Sequence, residues 1–111
     1  MDTRKLKAVE GTFQQGDVKG RRVTTMPVGE PVIIQRRRIV VAHGESGHSH
    51  VVEDDDAELI RIGERLLLSI PNGGTVVHEE HKPIKLAPGI WEVGQVREYD
   101  YFQQMSRTVR D

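Results

Sequence analysis

Turn-forming residues interrupt this chain about every ten positions, and no long stretch repeats its apolar residues at helical spacing. A chain punctuated in that way folds into short strands joined by tight turns. Its 11 glycines supply many of the breaks. The clearest region is 57–81. Glu58–Ile62 reads as a strand, and Gly63-Glu64 as a type II′ hairpin turn with glycine at its first central position. Arg65–Ile70 reads as the returning strand. Pro71-Asn72-Gly73-Gly74 is the next turn, and Thr75–Glu80 the third strand of an antiparallel meander. Pairing Ile62 with Arg65 and Ile70 with Thr75 puts Leu59, Leu66, Leu68, Ile70 and Val77 on one apolar face suited to a core. The opposite face carries Glu58, Ile60, Ile62, Leu67, Val76, His78 and Glu80, apolar in the middle and polar at the rim.

Further β segments are expected at Pro31–Gln35 and Arg37–Ala42, at Pro83–Leu86, and in the alternation from Ile90 to Tyr101 that follows the Ala87-Pro88-Gly89 turn. In that last segment Trp91, Val93, Gln95, Arg97, Tyr99 and Tyr101 share a face, with the aromatics read as core and rim. The expected fold is all-β: a small single-domain barrel or two-sheet roll of about eight short, mainly antiparallel strands. It occupies 1–111, with 1–10 and 103–111 as frayed ends.

At 111 residues there is room for one domain, which buries roughly 65% of the surface of its unfolded chain. The absence of cysteine rules out disulfides, thiolate metal sites and cysteine nucleophiles. The net charge of −1, from 16 basic and 17 acidic residues, is not the balance of a dedicated nucleic-acid binder. No apolar run approaches the roughly 20 residues of a membrane span. Met1 to Glu10 contains no apolar segment of the secretory kind, so the cytoplasm is the expected location.

All five histidines fall in two tight groups. His43, His48 and His50 lie in a glycine-rich stretch, and His78 and His81 flank Glu79 and Glu80. Residues two apart on a strand face the same way, so His48 and His50 can converge on one ion, with Glu53 as an oxygen donor. Gly44 and Gly47 allow the sharp folding such a loop needs. Three protein ligands and an open position make the catalytic pattern of zinc. Imidazole with oxygen suits a divalent transition metal such as Zn, Fe, Mn or Ni. His78 and His81, three apart, point to opposite faces of a regular strand. One of them is therefore expected at the site, and His78 is preferred because it shares a face with Glu80. The metal ligands proposed from sequence are His48, His50 and His78, with His81, His43 and Glu53 in reserve. Glu79 or Glu80 would move protons in a hydrolytic or oxidative reaction on a small-molecule substrate.

The competing reading keeps the histidines structural. It makes the protein a binding module for nucleic acid or a protein partner through Arg36, Arg37 and Arg38, with Lys19, Arg21 and Arg22 upstream. Arginines on an edge strand also discourage unwanted pairing, and that solvated role is favoured for them. Glu53-Asp54-Asp55-Asp56 reads as a solvated acidic loop without the spacing of an EF-hand. An exposed sheet edge could be closed by a second copy, giving a homo-oligomer.

The His48-Ser49-His50 motif with Glu53, followed later by His78 and His81, resembles that of the cupins, which hold a metal inside a small barrel. Glu53 comes earlier than in that motif, and Pro88-Gly89 follows the second histidine pair instead of preceding it. A wider pattern is similar to a group of small uncharacterised bacterial and phage proteins. It runs through Gln15-Gly16-Asp17-Val18, Ala42-His43-Gly44-Glu45, Gly47-His48-Ser49-His50, His78-Glu79-Glu80-His81-Lys82-Pro83-Ile84, Pro88-Gly89 and Gln95-Val96-Arg97-Glu98-Tyr99. That resemblance implies a common fold and carries no activity with it.

Overall fold

The computed structural model describes residues 6–43 and 49–96, with the backbone alone for 42 and 43. Eight strands account for most of it: β1 (Thr12–Gln15), β2 (Val18–Val23), β3 (Val32–His43), β4 (Ser49–Ile62), β5 (Arg65–Ile70), β6 (Gly74–His78), β7 (His81–Leu86) and β8 (Gly89–Gln95). They form one sheet in the order β1-β2-β8-β5-β4-β6-β7, with β3 paired to β4, and the named ladders are all antiparallel. The two ends of that order meet again where Val9 bridges Leu86 in parallel, which rolls the sheet into a nearly closed barrel.

Alternation drives most of these elements. In β1 and β2 the inward positions are Phe13, Gln15, Val18 and Gly20, and their neighbours are exposed. The turn between them, Gly16-Asp17, has glycine at φ 57°, and the Gly63-Glu64 turn between β4 and β5 has glycine at φ 62°. Glycine takes such a conformation with no Cβ penalty. The β4–β5 register pairs Ile62 with Arg65, as the turn chemistry implies. The main core gathers Phe13, Val18, Ile39, Val52, Leu59, Leu68, Ile70, Val76, Leu86 and Trp91. The indole N–H of Trp91 donates to the Ala87 carbonyl (3.0 Å), and Phe13 meets the ring edge-on at 5.7 Å. A second cluster of Ile60, Ile62 and Leu67, with Val23 and Ile90, lies on the other face of the sheet.

The expected meander does not continue past β5. β5 pairs with β4 and β8, whereas β6 pairs with the first half of β4, through Val51–Val77 and Val52–Val76. Val76 is therefore fully buried in the main core, and Val77, expected there, is 41% exposed. The third strand also ends earlier than its sequence suggests. Glu79-Glu80 is a turn, and the chain re-enters the sheet at His81. The β6–β7 register shifts between Val76 and His78, opposite Pro83, which has no N–H to give to the ladder. The acidic run from Glu53 lies inside β4 and not in a loop, but β3 offers it almost no partners. Between the pairs Arg36–Glu58 and Arg38–Glu53, residues 54–57 face Arg37 alone, at φ 70°. The expected continuation of the last strand to Tyr101, with Arg97 and Tyr99, and the ends at 1–5 and 103–111 lie outside the described residues. Among those described, no helix is long and apolar enough to cross a membrane.

Candidate functional site

The site begins with Gln15, the last residue of β1, which is 2% exposed. Its amide nitrogen donates to two backbone carbonyls, Val76 (3.1 Å) and Lys82 (2.8 Å). That fixes the amide, since the reverse orientation would press its oxygen against both carbonyl oxygens. The Gln15 oxygen must then accept the hydrogen bond from His50 Nδ1 at 2.9 Å. So Nδ1 of His50 carries a proton, and Nε2 of the neutral ring carries the lone pair.

Nε2 lies 3.2 Å from Asp17 Oδ1, across the β1–β2 turn. Burial and the neighbouring His78 depress the His50 pKa, outweighing the opposite pull of Asp17. The hydrogen bond from Gln95 Nε2 to Asp17 Oδ2 holds the Asp17 pKa below its ordinary value. His50 Nε2 and the Asp17 carboxylate thus face each other at hydrogen-bond distance, and a proton or a metal ion shared between them would be held by both.

Two more imidazoles close around this pair. His78 and His81 stand opposite each other at the ends of the β6–β7 turn. The ring centroids are 4.4 Å apart for His50–His78, 4.7 Å for His78–His81 and 6.0 Å for His50–His81. Both members of the pair therefore reach His50, where one was expected. A two-residue turn puts them side by side across a hairpin, so the three-residue spacing does not send them to opposite faces. Nδ1 of His78 accepts the Glu80 backbone N–H at 3.0 Å. His81 Nε2 lies over Gly16, close enough that a Cβ there would come within 2.7 Å.

Among the described residues, no group of three or more histidine, aspartate or glutamate side chains could hold a metal ion as it stands. In this arrangement His50 directs its two ring nitrogens at Gln15 and Asp17, and His78 Nδ1 accepts from its own hairpin. The remaining sequence candidates are placed as follows. His48 lies outside the described residues. The His43 backbone pairs with Ser49, and its side chain is outside the description. Glu53 is ion-paired with Arg38 (3.1 Å) on the surface. Glu79 and Glu80 occupy the exposed β6–β7 turn. Gln15 and Asp17 are the residues that sequence reasoning missed. Their signal was the Gly-Asp turn, which sets both beside the glycine under His81.

Elsewhere, ion pairs cross neighbouring strands. Arg36 bonds Glu58 (3.2 Å). Glu92 is clamped by Arg65 (2.7 Å) and Arg21 (3.0 Å). A concavity of about 630 Å³ near Lys19, Arg21, Glu92 and Gly94 contains none of the imidazoles.

These features define a small all-β barrel with a buried, asymmetrically bonded imidazole set among other imidazoles. Residues 14–96 match the family described as Domain of unknown function (DUF8820), and the chain belongs to that family. The matched span contains Gln15, Asp17, His50, His78 and His81. No curated protein and no solved structure matches the chain.

Proposed function

We propose that this protein binds one divalent transition metal ion through His50 Nε2, the Asp17 carboxylate and the imidazoles of His81 and His78. The observation that carries this reading is the contact between His50 Nε2 and Asp17 Oδ1 at 3.2 Å, with two further imidazoles beside it. Gln15 fits the outer partner that a ligating histidine usually has, accepting from the ring N–H that the metal does not use. The ring spacing is also compatible. Three imidazoles bound tetrahedrally at ordinary zinc–nitrogen distances have centroids roughly 5 Å apart, within the 4.4–6.0 Å range here. Recruiting His78 requires it to give up the Glu80 N–H. If it does not, three protein ligands leave a coordination position open, and Glu79 and Glu80 are the carboxylates of the adjoining turn that would carry protons for a substrate there. The nitrogen and oxygen donors suit Zn, Fe, Mn or Ni.

Elemental analysis of protein purified without a histidine tag tests the reading. About one equivalent of metal is expected in the wild type, and at least a tenfold weaker affinity in His50→Ala. Sub-stoichiometric metal in the wild type, or unchanged affinity in folded His50→Ala, would count against it.

A further inference from the structure

The sheet has a seam where its first and last strands meet, and the imidazole cluster sits on it. Among the described residues no ladder joins β1 to β7. At one end of the seam the backbone closes through Val9 N–H to the Lys85 carbonyl (2.8 Å) and Ala87 N–H to the Val9 carbonyl (2.9 Å). At the other end closure falls to side chains. Gln15 reaches from β1 to the carbonyls of Val76 and Lys82, and His81 rests on Gly16. Asp17 belongs to the β1–β2 side, while His78 and His81 belong to the β6–β7 side. His50, on β4, touches both.

We propose that the metal ion acts as the clasp of this seam, so that its binding sets whether the β1–β2 turn stays docked on the β6–β7 turn. This rests on the metal-binding reading above. Without the ion, side-chain contacts hold this end of the seam, the Gln15 amide and the His50–Asp17 contact among them. With the ion, Asp17 from one side and the histidines of the other become ligands drawn to one centre. Binding of this kind stabilises the closed form by the ion's differential affinity for it. The seam thereby becomes a metal-responsive element of the barrel. Trp91 is positioned to report on it, because its indole N–H is bonded to Ala87 at the seam and Phe13 of β1 packs on its edge.

The test pairs equilibrium dialysis against Zn²⁺, Mn²⁺, Fe²⁺ and Ni²⁺ with hydrogen–deuterium exchange of the full chain, with and without the bound ion. The expected result is near-stoichiometric binding and at least tenfold slower exchange in peptides covering 9–18 and 81–87. The β4–β5 hairpin at 58–70 should change little, and Trp91 emission should shift. Asp17→Ala supplies no ligand from the β1–β2 side. When saturated with ion it should show no slowing at 9–18, its fold being checked by circular dichroism. Binding without slowing at the seam, or with equal slowing at 58–70, overturns the clasp and leaves the binding site standing. Retained slowing at 9–18 in saturated Asp17→Ala also overturns it. Failure of all four ions to bind overturns both.

Discussion

Gln15 satisfies three polar groups at once, the buried Val76 carbonyl and His50 ring N–H and the part-buried Lys82 carbonyl. Replacing it with leucine preserves much of its volume and strands all three. Each stranded group costs about 1–3 kcal/mol. Gln15→Leu is therefore expected to lose at least about 2 kcal/mol in urea denaturation, far more than a surface glutamine would. Gly16→Ala combines a left-handed φ of 57° with a Cβ placed 2.7 Å from His81 Nε2. It should destabilise by about 1–3 kcal/mol and displace the His81 ring, visible as a changed imidazole signal by NMR. The histidines were legible in the sequence because five rings in two short groups are uncommon. Gln15 and Asp17 were not, because glutamine and aspartate are ordinary residues around a turn. Their importance comes from a contact across 35 and 33 positions of chain.

The strands near Gly63 were readable because one glycine fixes the turn, and the turn fixes the register. Two substitutions separate the conformational role of glycine from its spatial role. Gly63 has φ 62° and open space around a Cβ, so Gly63→Ala tests backbone strain alone and should cost about 1–2 kcal/mol. Gly94 also has open space around a Cβ but no left-handed φ. Gly94→Ala should be neutral or stabilise by about 0.4–1 kcal/mol. Thermal melts of the two variants side by side check this. The β6 register was not readable. Val76 and Val77 are equally apolar, so the pattern does not choose a face, and Pro71–Gly74 does not state which strand the chain will meet next. The glutamates between His78 and His81 carry no turn signature, which is why the third strand was read on through Glu80 and the next one was started only at Pro83. The acidic stretch was misread for a related reason. Its charges fit inside β4 because β4 bulges there, four residues facing Arg37 alone, while Arg38 and Asn72 bind Glu53 and Asp56. β1 and β2 gave little hydrophobic signal, since two of their inward residues are Gln15 and Gly20.

At the level of the whole molecule, one surface carboxylate ties three strands together. Glu92 on β8 binds Arg65 on β5 and Arg21 on β2, and these guanidiniums, Arg65 foremost, hold its pKa at about 2 against an ordinary 4.5. A depressed carboxylate contributes stability that is present in full above its unfolded pKa and is lost as pH falls through the folded one. The window is therefore from about 4.5 down to about 2. Glu92→Gln should lower stability at pH 7 by about 0.5–1 kcal/mol, the scale of exposed ion pairs. The gap from wild type should close as pH approaches 2 in denaturation curves recorded at successive pH values.

The ladder between β2 and β8 has a temporal consequence. It joins residues 18–23 to 90–95, the two ends of the described barrel, in register from Val18–Gln95 to Val23–Ile90. During synthesis the first hairpin leaves the ribosome long before its mate exists. Phe13 and Val18 must wait, uncovered, until nearly the last strand has emerged. Distant pairings of this kind slow folding and lengthen the interval in which an unfinished chain can associate with others. Production in cells should therefore be more sensitive to translation speed and chaperone supply than the small size of the chain suggests.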